Sequence, residues 1–279
     1  MAIIDVPSAH EPRTGTKPHY RTLWISDIHL GTRDSKAQEL LAFLKSATYD
    51  KLYVVGDFID VWQLKRTRRW QQEHNDVVQK LLRRARKGTP IIYIPGNHDD
   101  FVAHYMGIYG NITIAENDIH TTADGRRLLV MHGHEFDAVT MNARWLSVLG
   151  DIGYSLLLRL NAVINLGRRL FRLPHWSLSA YIKRCVKNAV NFISHFEDAV
   201  TKYAERHNVH GIICGHIHTP AIREIRGTQY YNTGDWVETC SALAERHDGT
   251  IELLFWNECK EAVSSQGGCA ASEKQTLLA

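Results

Sequence analysis

Five short apolar runs in this 279-residue chain each end in residues that can hold a metal, and that recurrence constrains the fold more than any other feature. Leu23-Trp24-Ile25-Ser26 leads into Asp27-Ile28-His29, and Leu52-Tyr53-Val54-Val55 into Gly56-Asp57. Ile91-Ile92-Tyr93-Ile94 precedes Gly96-Asn97-His98-Asp99, Leu128-Leu129-Val130-Met131 precedes His132, and Gly211-Ile212-Ile213-Cys214 precedes Gly215-His216-Ile217-His218. Short apolar and β-branched runs before Gly, Asp and Asn read as buried strands. In open α/β sheets, ligands gather beyond the carboxyl ends of the strands. The pattern therefore predicts one rim at which Asp, His and Asn converge.

The donor set says what converges there. Asp and Asn oxygens mixed with neutral imidazole suit Mn, Fe or Zn, whereas a Ca or Mg cage would be all oxygen. Seven donors (Asp27, His29, Asp57, Asn97, His132, His216 and His218) are too many for one tetrahedral ion and suit two ions sharing a carboxylate. Two dications offset by two aspartates and a hydroxide stay net positive and attract phosphate. Paired metals also acidify a shared water and clamp the oxygens of an in-line displacement. The chemistry implied is hydrolysis of a phosphate ester or anhydride.

Asp27-x-His29, Gly56-Asp57-x-x-Asp60, Gly96-Asn97-His98-Asp99, His132-Gly133-His134 and Gly215-His216-x-His218 resemble, in order, the signature of calcineurin-like metallophosphoesterases. The resemblance implies a four-layer αββα sandwich and a pair of divalent ions, with Mn favoured over Fe or Zn. It also implies that Asp27, His29, Asp57 and His218 hold one ion, and Asp57, Asn97, His132 and His216 the other. By the same resemblance His98 is the general acid and Asp99 orients it; an imidazole suits that role because its ordinary pKa lies near neutrality. Asp60 reads equally as an acceptor fixing a histidine tautomer or as a carboxylate starting a helix. His134 carries no assigned role.

The chain then divides into a polar N-terminal arm over 1–18, a sandwich from 19–138 and 207–257, a helical insertion over 139–206, and a polar tail over 258–279. Within the sandwich, Asp34-Ser35 reads as a cap for a helix carrying Leu40, Leu41 and Leu44, and 71–87 as a second helix with Val77, Val78, Leu81, Leu82 and Ala85 on one face. Hairpins are expected across Arg226-Gly227 and at Asp248-Gly249, closing the second sheet. The five cysteines are odd in number and scattered, which argues against a disulfide framework. No apolar secretory stretch opens the chain, and a cytoplasmic enzyme is expected.

The insertion is the unusual part. From 139 to 190 its charges are Arg144, Arg159, Arg168, Arg169, Arg172, Lys183, Arg184 and Lys187 against Asp151 alone, interspersed with Leu and Trp. Cationic helices of that kind suit a membrane interface or a lid over a lipid-bearing anion, while Asp151 and Arg159 interrupt any span. An ordinary helical cap with a solvated basic face is the competing reading. A net charge of +3 argues against extended contact with nucleic acid.

The insertion, Asp-Ile-His-Leu-Gly at 27–31, Gly-His-Ile-His-Thr-Pro at 215–220 and Asn-Thr-Gly-Asp-Trp at 232–236 together are similar to the UDP-2,3-diacylglucosamine pyrophosphatase branch. That resemblance implies release of UMP from an acylated UDP-sugar, in lipid A synthesis, by an enzyme peripheral to the cytoplasmic face of the inner membrane. The branch carries Arg where this chain has His98 and Thr219. Arg cannot donate a proton at neutral pH. His98 therefore also suits a paralogous phosphodiesterase or phosphatase with a poorer leaving group; a nuclease is a third alternative.

Overall fold

The computed structural model describes residues 17–136, 193 and 195–259. Residues 1–16 of the expected arm (1–18), 137–138 of the expected sandwich, 139–192 and 194 of the expected insertion (139–206), and 260–279 of the expected tail (258–279) lie outside the described residues. Among those described, no helix is long and apolar enough to cross a membrane.

The first three predicted strands form as expected: β1 (His19–Ile25), β2 (Thr48–Val55) and β3 (Ile91–Ile94) lie side by side and parallel. β4 (Gly107–Tyr109) and β5 (Ile112–Ile114) extend this sheet beyond β3. A second sheet contains β6 (Asp118–Thr121), β7 (Arg127–Val130), β8 (Gly211–Cys214), β9 (Ala221–Ile225) and β10 (Thr228–Asn232), in the order β6-β7-β8-β10-β9. β11 (Ser241–Glu245) and β12 (Ile251–Phe255) turn at Asp248-Gly249 as anticipated, but they join the first sheet. The expectation that both hairpins close the second sheet is therefore corrected. β11 is buried at every position and pairs antiparallel with β1, so it is an interior strand that needs neighbours on both edges.

Strand alternation then builds the layers. On one face of the first sheet Leu23, Ile25, Leu52 and Val54 meet Leu40, Phe43 and Leu44 of α1 (Ala37–Ser46) and Val77 and Leu81 of α3 (Gln72–Arg86). On the other face Trp24, Tyr53, Val55, Ile92 and Ile94 pack against Leu128, Val130, Ile213 and Tyr231 of the second sheet. The outer face of that second sheet, through Leu129, Met131, Ile212 and Tyr230, is covered by Phe196, Val200 and Ala204. These belong to a helix, α4, over 195–206. The result is the αββα sandwich, with α4, which the sequence reading placed in the insertion, as its fourth layer.

Two local expectations also change. α1 begins after Lys36 without a side-chain cap, and Ser35 Oγ donates instead to the Ile28 carbonyl at 2.7 Å. Cys259 is disulfide-bonded, whereas Cys214 and Cys240 are free and buried.

Candidate metal centre

Each of the five strands β1, β2, β3, β7 and β8 delivers its predicted donors to one rim, and the backbone there is bent to do so. Asp27, His29, Asp57, His216 and His218 all adopt positive φ, between 49° and 70°. Non-glycine residues rarely take that region, and such strain persists only where surrounding structure holds it. Two glycines make room for the crowding. A Cβ on Gly96 would lie 2.2 Å from Asp57 Oδ1, and one on Gly215 2.4 Å from Asp27 Oδ2.

Both aspartates divide their oxygens between holding the loops and facing the imidazoles. Asp27 Oδ2 accepts from Ser26 Oγ at 2.5 Å and from the His216 N–H at 2.9 Å. Its Oδ1 points toward His218 Nε2, 3.3 Å away. Asp57 Oδ1 accepts from the His98 N–H at 2.8 Å. Asp57 Oδ2 faces Nε2 of His132, His29 and His98 at 3.5, 3.8 and 4.0 Å. Donor atoms of Asp27, His29 and His218 lie within 4.8 Å of one another, and so do those of Asp57, His132 and His216.

The rings are oriented for coordination. His132 Nδ1 bonds the Val55 carbonyl at 2.9 Å and His29 Nδ1 the Asp60 carboxylate at 3.3 Å, which leaves each Nε2 toward Asp57. Such outer contacts select the tautomer whose other nitrogen can bind a metal. Asp27 Oδ1, His29 Nε2, Asn97 Oδ1 and His132 Nε2 are buried with no hydrogen-bond partner among the described residues. Buried polar atoms are normally satisfied, so four orphans among the residues of this rim fit divalent ions well. Burial opposes ionisation of Asp27, but His218 beside it outweighs that and holds the carboxyl at about 2. Burial likewise opposes charging of His132, and the Asp57 carboxylate overcomes it, pushing the ring up to about 10. A proton held between such groups is what a dication would displace.

His98 stands at the edge of this cluster. Its Nδ1 lies 3.0 Å from Asp60 Oδ2, off the line of a good hydrogen bond, and Trp62 covers the ring at 4.4 Å between centroids. Burial pulls the ring's pKa down, and contact with Asp60 more than reverses it. The expected partner, Asp99, does not face His98, and that expectation is corrected. Asp99 is wholly buried; Oδ1 accepts from the Gly96 N–H at 2.6 Å, and Oδ2 from the Phe58 N–H at 2.7 Å and the Tyr93 hydroxyl at 2.5 Å. It clamps the loops after β2 and β3 together. Asp60 satisfies both of its open readings: Oδ1 caps α2 (Val61–Thr67) by accepting from the Gln63 N–H at 2.8 Å, while Oδ2 holds His29 and His98.

Some supporting residues were missed. Thr233 N–H donates to the Cys214 carbonyl at 2.9 Å, Asn232 Nδ2 to the Gly215 carbonyl at 2.8 Å, and Trp236 N–H to the Asp27 carbonyl at 3.0 Å. The 232–236 segment thus ties the β1 and β8 loops together, with Asp235 Oδ2 4.0 Å behind His218 Nδ1. The Asn-Thr-Gly-Asp-Trp string was the available signal, but nothing local said what it would touch. His134 lies tilted against His132 and edge-on to His216, with centroids 5.5 and 6.4 Å away, beside rather than within either donor group.

A family model described as calcineurin-like phosphoesterase matches residues 20–220. A UDP-2,3-diacylglucosamine hydrolase of Psychromonas ingrahamii is 26% identical over 237 residues, covering 82% of this chain and 94% of its own. The Azotobacter vinelandii protein of the same name is 26% identical over 222 residues, covering 77% and 90%. Among solved structures, Vps29 of Entamoeba histolytica aligns over 84% of this chain and 97% of its own, at 14% identity and a TM-score of 0.41.

Proposed function

The chain belongs to the calcineurin-like phosphoesterase family, and from that premise we propose that it hydrolyses the diphosphate of an acylated nucleotide sugar resembling UDP-2,3-diacylglucosamine. The observation that carries the reading is the pair of neighbouring donor groups, Asp27, His29 and His218 beside Asp57, His132 and His216, in which Asp27 Oδ1, His29 Nε2 and His132 Nε2 are buried without a hydrogen-bond partner among the described residues. Relatives bearing the substrate in their name match nearly their whole length.

Asp27, His29, Asp57 and His218 would hold one ion, and Asp57, Asn97, His132 and His216 the other, with manganese the favoured metal. When bound, such a pair supplies a nucleophile at neutral pH and neutralises phosphoryl oxygens. The protein does the rest. Asp57 gathers the imidazoles, Asp60 holds His29 and His98 through one oxygen, and His98 Nε2 faces the centre with a proton for the leaving oxygen. Trp62 packs on that ring and limits its motion. An acyl-bearing substrate fits the exposed apolar surface directly after the His98 motif, where Phe101, Tyr105, Met106, Ile108 and Tyr109 are open to solvent. The same surface, with the basic insertion, suits peripheral contact with a membrane.

One observation favours a second reading. A proton-donating imidazole at 98 is useful for a leaving group more basic than UMP or a sugar phosphate, as in a simple phosphodiester. Manganese-loaded protein incubated with UDP-2,3-diacylglucosamine, and in parallel with a chromogenic phosphodiester, separates the two. Metal-dependent UMP release that falls about 10²-fold or more in His98→Ala, with metal retained, is the expected result. Turnover of the diester alone would leave the phosphoesterase and remove the lipid nucleotide.

A further inference from the structure

Among the described residues, one group of metal-ligating side chains lies away from the rim: His19, Asp50 and His247. His19 opens β1 and Asp50 lies near the start of β2, whereas the rim is built beyond the carboxyl ends of the same strands. β1 is 7 residues long, so its two ends are roughly 20 Å apart. All three residues are exposed, and backbone pairing rather than burial brings them together.

Strand register places the first two. In the parallel pairing of β1 with β2, His19 lies opposite Thr48, and alternation puts Asp50, two residues further on, on the same face. His247 comes from the β11–β12 turn. β11 runs antiparallel to β1 with Glu245 opposite Thr22, so the chain leaving β11 travels toward the start of β1. The turn is tied by three hydrogen bonds. Arg246 N–H donates to the Thr250 carbonyl at 2.8 Å, Gly249 N–H to the Arg246 carbonyl at 3.1 Å, and Thr250 N–H to the Asp248 carboxylate at 2.8 Å. The His19 and His247 rings consequently lie 5.1 Å apart between centroids and 13° from parallel.

The donor atoms have the spacing of a coordination site. One from each residue can be taken such that all lie within 4.8 Å of one another, and His19 Nε2 is 2.9 Å from Asp50 Oδ1. Ligand atoms around a tetrahedral zinc ion are about 3.3 Å apart, given bonds of about 2.0 Å. The second ring nitrogen of His19 is also held. Its Nδ1 lies 2.9 Å from Thr48 Oγ1, and that hydroxyl has the Pro18 carbonyl 3.2 Å away as an acceptor. When the hydroxyl donates to Pro18 and Nδ1–H donates to the hydroxyl, the Nε2 lone pair points at Asp50. A ligating histidine ordinarily has such a partner on its other nitrogen. In that tautomer a lone pair and an anionic oxygen face each other, which a cation between them relieves. Two imidazoles with one carboxylate suit zinc and its neighbours in the transition series, whereas calcium or magnesium would take oxygen alone.

We propose that His19, Asp50 and His247 form a zinc-type metal site, remote from the phosphoesterase centre, in which the ion clips the β11–β12 turn to the starts of β1 and β2. The site uses no residue of the rim and stands whatever the substrate there.

The test counts metal in the full-length protein. Samples freed of metal by a chelator are equilibrated with zinc at a fixed micromolar free concentration, and bound zinc per chain is measured. The wild type is expected to hold one zinc more than either His247→Ala or His19→Gln; ions at the rim are common to all samples and cancel. Asp50→Asn keeps the side-chain shape and should weaken that ion about tenfold or more. His207→Ala removes an exposed imidazole elsewhere and should keep the wild-type count. Histidine-ring NMR gives a readout independent of counting: the His19 and His247 signals should move together over one range of zinc concentration. Equal counts in the wild type and both cluster variants, or loss of the same ion in His207→Ala, overturns the site. What would then remain is a hydrogen-bonded row from Thr48 through His19 to Asp50.

Discussion

Two carboxylates near His98 in sequence have opposite duties, and the difference is measurable. Asp60 touches His29 and His98, whereas Asp99 is enclosed by N–H and O–H donors and touches neither ring. Asp60→Asn is therefore expected to keep the fold, lower kcat by about 10²-fold and alter the kcat–pH profile, because the ring loses its anionic partner. Asp99→Asn is expected to cost about 3 kcal/mol in urea unfolding, since an amide cannot accept from every donor now aimed at the carboxylate. Large loss of stability in the Asp60 variant, with a normal Asp99 variant, would reverse the assignment.

At the scale of elements, α4 decides where the sandwich ends. Phe196 is fully buried, meets Phe136 edge-on at 6.1 Å, and lies so close to Gly133 that a Cβ there would come 2.9 Å from its ring. Gly133 directly follows His132, so α4 supports the loop that carries His132. Phe196→Ala should cost about 3–5 kcal/mol by denaturant unfolding, as for other buried aromatic truncations. A cost below about 1 kcal/mol would mean that α4 covers the sheet without being part of its core.

Across the whole molecule, a buried charge cluster joins the two sheets at the end opposite the metal centre. The Glu245 carboxylate is fully buried on β11 and takes Arg21 from β1 at 2.6 Å, His120 from β6 at 2.8 Å and the Ala123 N–H at 2.7 Å. Burial alone would raise its pKa; hydrogen bonds from His120 and Ala123 outweigh that and lower it. A carboxylate depressed in the folded state contributes stability above its unfolded pKa of about 4.3, and loses it as pH falls through the folded value. Glu245→Gln should thus be less stable than wild type at pH 7, with the gap narrowing as pH drops below about 4 in urea melts. A gap that stays constant with pH would assign the loss to packing.

The sequence by itself determined which candidate donors gather and the rim on which they do so. Each donor candidate closely follows a short apolar run, and strand alternation is dictated by neighbours a few residues away. The helical faces of α1 and α3 were legible for the same reason, through their 3.6-residue period. Only the tertiary structure decided which carboxylate faces His98, because the chain turns Asp99 inward to the Phe58 N–H of the loop after β2 as well as to the Gly96 N–H of its own loop. It also decided that the final hairpin joins β1, that α4 is a layer of the sandwich, and that His247 meets His19 and Asp50 at the start of β1. Those outcomes depend on contacts between residues far apart in the chain, where burial and pairing choose the partner and local pattern carries no information.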